Sequence, residues 1–181
     1  MTSYDLSIAR QDHFELLGLP RAYAIDSTDL ERLYRDVQAR VHPDKHAHLA
    51  DADRRLAMQW ATQVNEAYRT LRDPLLRARY LLHLAGFDAG IETNTAMPTE
   101  FLIEQMELRE TVAQAREEGD AAQLEELDRR MRHEMAAQQG ELMQALDTKH
   151  DYARASEIVR QLMFHEKLLS EIDAALEAVE A

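Results

Sequence analysis

Pro43 lies between two apolar-periodic stretches, and that placement constrains this chain more than any other feature. It stands in the segment Val41-His42-Pro43-Asp44-Lys45. Proline has no amide hydrogen and biases the residue before it away from helical dihedrals. A helix arriving from Leu30 should therefore stop near Val41, leaving an imidazole and a carboxylate in a polar loop. Upstream, Leu30, Leu33, Tyr34, Val37 and Val41 recur as a one-sided stripe on a helix that Asp26 or Ser27 can cap. Downstream, Ala57, Trp60, Ala61, Val64, Ala67, Tyr68 and Leu71 form a second stripe on a helix expected from about Asp51 to Leu71. Two such helices joined by a short polar loop make a helical hairpin with the loop at its tip.

The rest of the chain reads as helix too. With 5 Gly, 4 Pro and few β-branched residues, little favours strands. Asp12 with Glu15 three residues on has capping-box spacing, and Gly18 and Pro20 end that short helix. Arg72-Asp73-Pro74 breaks the helix that ends the hairpin, and a further helix runs from Leu75 to Ala85, with Gly86 suited to a left-handed cap. Residues 87–97 lack a period and are expected to be a linker, which places one domain at 1–86 and another at 98–181. The second domain holds helical segments at about Pro98–Glu118, Asp120–Leu146 and Asp151–Val179. Their short connections imply an antiparallel three-helix bundle. The expected fold class is thus all-α in two domains.

Net charge is −13, and most of it follows residue 75, where 22 acidic side chains face 11 basic ones. Such a domain repels nucleic acid and anionic lipid, so neither nucleic acid nor membrane is an expected partner. No cysteine occurs, which excludes disulfides and thiolate metal sites. Met1–Arg10 has no signal pattern and no apolar run approaches a membrane span, so a cytoplasmic protein is expected.

Two faces are candidates for binding. On the hairpin's first helix the outer side carries Arg32, Arg35, Asp36 and Ala39, with Arg40 at the border. Together with Lys45 these arginines offer a docking face for an acidic partner. On the first bundle helix Phe101, Leu108, Val112 and Ala115 share a face suited to the core. Leu102, Met106 and Ile103 fall about 100°, 140° and 200° round from Phe101. With Glu107 and Glu110 beside them they make a second apolar face with an acidic rim, either packed internally or open to a partner. On the last helix Ile158, Leu162, Leu169, Ile172 and Leu176 form the core stripe, and Phe164 lies off it.

Several of these residues resemble the J-domain of DnaJ-type co-chaperones. Tyr34-Arg35 precede His42-Pro43-Asp44, Asn65-Glu66-Ala67-Tyr68 and Asp73-Pro74 follow it, and Arg77-Ala78-Arg79-Tyr80 looks like the family's closing segment. Asp36 stands where many J-domains carry a second basic residue. Beyond Tyr80 the chain departs from ordinary DnaJ. It continues with Leu81-Leu82, Gly86-Phe87-Asp88 and Phe101 to Glu110 in an arrangement similar to the HscB family, the J-type co-chaperones of bacterial iron–sulfur cluster assembly.

That resemblance implies a co-chaperone and not an enzyme. Its partners would be a DnaK-type chaperone, HscA, whose ATPase it stimulates, and the iron–sulfur scaffold IscU, which it delivers. His42, Pro43, Asp44, Lys45, Arg32, Arg35 and Arg40 would meet the chaperone. Leu102, Ile103, Met106, Glu107, Glu110 and Phe164 would meet the scaffold. Asp44 offers an acceptor-only carboxylate suited to bidentate pairing with an arginine.

Other readings stay open at this level. His42, His46 and His48 are close enough in sequence to suggest a metal site and a hydrolase, but no fourth ligand accompanies them. No metal, cofactor or catalytic residue is therefore expected, and no glycine-rich phosphate loop is present. His13, His83, His133, His150 and His165 look isolated, at the surface or partly packed. A helical adaptor that binds partners without stimulating hydrolysis is the third reading.

Overall fold

The structure, a computed structural model, describes residues 11–41, 51–87 and 97–180. Among these residues there are seven α-helices and one π-helical turn, and no strand. The expected all-α class is observed. By its internal contacts the chain falls into two compact units, Met1–Leu81 and Leu82–Ala181.

The first unit begins with α1, His13–Leu17. Asp12 Oδ1 accepts from the Glu15 amide at 2.9 Å while the Glu15 carboxylate accepts from the Asp12 amide at 3.2 Å, the reciprocal pair its spacing predicts. Gly18 then takes a left-handed φ of 71° that a side chain would strain. Helix α2, Ser27–Val41, is capped by Asp26, whose carboxylate accepts from the amides of Thr28 and Asp29. Those bonds hold the Asp26 carboxyl below its ordinary pKa. Helix α3, Asp51–Arg72, packs on α2. Phe14 and Leu17 of α1, Leu30 of α2, and Val64, Ala67 and Leu71 of α3 form the core that the three helices share.

Helix α4, Pro74–Leu84, starts where α3 stops because Asp73-Pro74 performs both tasks. Pro74 cannot continue α3, and its missing amide costs nothing at the first position of α4. Asp73 Oδ1 accepts from the Leu76 amide at 2.8 Å, capping the new helix. Ala78 is fully buried. Tyr80 Oη accepts from the His13 amide at 3.0 Å, and the Tyr80 ring stacks on His13 with centroids 4.2 Å apart. The arginine-alanine-arginine-tyrosine segment therefore fastens α4 to the start of α1.

The second unit is a three-helix bundle of α5, Thr99–Glu118; α6, Ala121–Met143; and α7, Tyr152–Glu180. Gly119 and Asp120 make the first connection, with the Asp120 carboxylate accepting from the Gln123 amide at 3.0 Å. Leu108, Val112 and Ala115 of α5, Leu124, Leu127 and Met131 of α6, and Leu168, Ile172 and Ala175 of α7 fill one end of the core.

Three features differ from expectation. The expected helix to Leu146 is α-helical only to Met143 and then widens into a π-turn, Gln144–Lys149, which His150 closes with φ 52°. The stripe on α7 is broader than a single seam, because this helix packs against both α5 and α6. Val159, His165, Leu168 and Ala175 are buried along with Ile158, Leu162 and Ile172, whereas Leu169 and Leu176 are only half-buried. Phe101, expected in the core, is also half-buried.

Gly140 lies exposed inside α6, and a Cβ there would meet nothing within 4 Å. Gly140→Ala should raise stability by about 1 kcal/mol, by removing unfolded-state entropy, as measured by urea denaturation.

Candidate functional site

A lock of side chains joins α2 to α3. The Tyr34 and Tyr68 rings stack with centroids 4.0 Å apart at 17°. Tyr34 Oη donates to Asn65 Oδ1 at 2.9 Å and accepts from Gln38 Nε2 at 2.8 Å. Residues 42–50 connect the two helices this lock joins. His42, Pro43, Asp44 and Lys45, with His46 and His48, lie outside the described residues.

The outer face of α2 is described, and its charge is balanced within the helix. Arg32, Arg35, Asp36 and Arg40 are all exposed. Arg32 reaches Asp29 at 2.9 Å and Asp36 at 3.8 Å, and Arg35 pairs with Glu31. Arg40 Nε donates to the Asp36 carbonyl at 3.2 Å. Exposed pairs of this kind are weak, typically about 0–1 kcal/mol, so they can open for a partner. Asp29, Glu31 and Asp36 nevertheless make this face mixed in sign and not simply basic.

On α5 the second apolar face is exposed. Leu102, Ile103 and Met106 retain 37%, 51% and 64% of their accessibility, and Glu107 and Glu110 beside them are exposed as well. The core face of α5 is complete without them, since Leu108, Val112 and Ala115 are buried. Phe164 is half-buried and meets Phe101 edge-on, with centroids 5.6 Å apart at 87°. It therefore supports the start of α5.

Beneath this face lies a polar layer that the sequence reading missed. His165, expected at the surface or partly packed, is 1% exposed. Its Nδ1 lies 3.0 Å from Gln138 Oε1, and Gln138 Nε2 donates to Gln161 Oε1 at 3.3 Å. Gln105 is 2% exposed and its side-chain amide reaches no hydrogen-bond partner among the described residues. The signal for Gln105 was available, because at about 40° from Phe101 it falls within the core arc of α5. Nothing local marks His165, whose burial follows from the two-sided packing of α7.

Burial pushes the His165 pKa below its ordinary value of 6.5, while Glu134 on α6, 3.8 Å from Nε2, and Glu104 on α5 oppose the shift. The neutral ring is the form the fold prefers, so its stabilising effect is full above pH 6.5 and fades as pH falls below it. Relative to His165→Gln, the unsubstituted chain should lose part of its stability advantage between pH 7.5 and 5.5, as followed by thermal melting at each pH.

Among the described residues no group of three or more His, Asp or Glu could hold a metal ion, and no helix is long and apolar enough to cross a membrane.

Comparison with known proteins finds two families along the chain. The DnaJ domain family matches residues 12–80, and the family described as HSCB C-terminal oligomerisation domain matches residues 97–173. The co-chaperone protein HscB homolog of Aromatoleum aromaticum is 55% identical over 94% of this chain and 97% of its own length. The HscB homolog of Ralstonia nicotianae is 47% identical over 97% of this chain and 99% of its own. Among solved structures, chaperone HscB from Vibrio cholerae aligns with a TM-score of 0.83 at 34% identity, over 93% of this chain and 99% of that one. Human co-chaperone protein HscB aligns with a TM-score of 0.84 at 28% identity, over 91% of this chain and 81% of that one.

Proposed function

Because the chain belongs to the HscB family of J-domain co-chaperones, and a J-domain implies a DnaK-type chaperone as partner, we propose that it delivers an IscU-like iron–sulfur scaffold to an HscA-like chaperone in the cytoplasm and stimulates that chaperone's ATPase. It is a co-chaperone and not an enzyme. The observation that carries the reading is the exposed Leu102, Ile103 and Met106 face with its acidic rim, on the same chain as the sequence His42-Pro43-Asp44. The working modules in this reading are residues 1–86 and 98–181, joined by 87–97. Two sites on one chain raise the local concentration of the client at the chaperone without any new contact.

At the chaperone end His42, Pro43, Asp44 and Lys45 act with Arg32, Arg35 and Arg40. Asp44 pairs with an arginine of the chaperone, and Pro43 restricts the loop so that less ordering is needed on docking. The α2 ion pairs must exchange partners for the arginines to be used, which favours a chaperone face of mixed sign. His42→Gln or Asp44→Asn should abolish stimulation of the chaperone's single-turnover ATPase while leaving helicity and scaffold affinity unchanged. A variant that stimulates normally would overturn this assignment.

At the client end Leu102, Ile103, Met106 and Phe164 supply apolar contact, and Glu107 and Glu110 supply orientation and on-rate more than affinity. Full burial of a large apolar side chain is worth roughly 1.5–3 kcal/mol. Met106 suits a surface that adapts to its partner. Because Phe164 also supports Phe101, the cleaner variant combines Leu102→Ala, Ile103→Ala and Met106→Ala. It should lose about 3 kcal/mol or more of scaffold binding in a calorimetric titration, with little change in melting temperature. Leu108→Ala, in the core, should instead cost about 2–5 kcal/mol of stability. A triple variant that melts far lower yet keeps its scaffold affinity would make the face internal packing.

A further inference from the structure

We propose that a concavity between the start of α5 and the third turn of α7 receives a carboxylate side chain of the client protein, with Arg160 as its counter-ion. The proposal rests on the reading of Leu102, Ile103 and Met106 as the client surface and extends that surface at one end. The concavity has a volume of about 400 Å³ and is lined by Met97, Pro98, Arg154, Glu157, Arg160 and Gln161.

Arg160 is the reason to assign it an anion. Four other arginines of this unit have carboxylates, and the remaining two, Arg116 and Arg130, are exposed to water, where a guanidinium needs none. Arg109 pairs with Glu171 at 3.0 Å, Arg129 with Glu126 at 2.7 Å, and Arg132 with Asp128 at 2.8 Å. Arg154, on the same wall as Arg160, is held by Glu141 and Glu157, both at 3.1 Å. The Glu157 carboxylate in the lining is thereby engaged. Arg160 is half-buried, and its Nε is buried with no hydrogen-bond partner among the described residues. A buried donor left unmade is unfavourable, and a guanidinium is most fully satisfied by the two oxygens of a carboxylate. In a chain of net charge −13 a local acid would be easy to supply, yet none reaches Arg160 among the described residues.

Continuity identifies the source of the acid. Leu102 donates its amide to the Pro98 carbonyl at 3.1 Å, so the exposed face begins one turn after the lining residue Pro98. Arg160 and Gln161 precede Phe164 by one turn, and Phe164 packs on Phe101. The concavity and the apolar face thus occupy adjacent turns of the same two helices. Further along α5, Glu107 and Glu110 form the acidic rim. A client surface ordered basic, apolar, acidic fits this arrangement in one direction and is repelled in the other, so Arg160 fixes the orientation of docking.

The test is a calorimetric titration of the purified chain with an IscU-type scaffold protein, for Arg160→Gln, Arg160→Lys and the Leu102/Ile103/Met106→Ala variant. Arg160→Gln should bind about tenfold more weakly at an unchanged melting temperature, and Arg160→Lys, which keeps the charge without the fork, should stay within about threefold of the parent. If Arg160→Gln binds like the parent while the triple variant does not, the inference falls and the client reading stands. If neither variant loses affinity, the client reading falls and the inference with it. If Arg160→Gln and Arg160→Lys lose affinity equally and both melt lower, Arg160 is a packing residue and the inference is overturned.

Discussion

The contact on which the first unit depends is the stacking of Tyr34 on Tyr68, with Asn65 accepting from the Tyr34 hydroxyl. It joins α2 to α3 midway along α2. A hairpin of two helices has no covalent closure except its loop, so side-chain contacts across the pair must fix its register. An aromatic stack with a hydrogen bond at one edge does this with both apolar area and a directional constraint. The residues that make the family segment recognisable, Tyr34, Asn65 and Tyr68, are thereby explained as structural. They hold the helices that the loop connects. Tyr80 has the same character, because its hydroxyl accepts an otherwise unpaired amide at the start of α1.

The second unit depends on α7 packing against two helices at once. A helix covered on two sides buries a wide arc, and polar side chains can be caught within it. His165 is one, and it is satisfied through Gln138 and Gln161. Gln105 is another, and it is not satisfied. Both lie at the level of Phe101, Leu102 and Met106, where α5 shows its exposed apolar face. The bundle is wholly apolar around Leu108, Leu124 and Ile172 and mixed around Gln105 and His165. Local departures from an ideal core are expected beside functional sites, and these lie beside the face proposed to meet the client.

Helix identity, most helix ends and the two candidate faces were legible in the sequence, because each depends on neighbours within a turn or two. Asp12 with Glu15, Gly18, Asp73-Pro74 and Asp120 act through local backbone amides and fixed dihedrals, so composition and spacing suffice to find them. The separation of Leu102, Ile103 and Met106 from Leu108 and Val112 follows from the helical step alone. What the tertiary structure decided involves distant partners. Arg32 and Arg35 are neutralised within their own helix, a choice among rotamers that spacing permits but does not compel. The π-turn at Gln144–Lys149 replaces an expected α-helical turn, and periodicity does not report one extra residue in a turn. The burial of His165 and the isolation of Arg160 depend on which helices cover α7, and one helix's pattern cannot encode how many neighbours it will have.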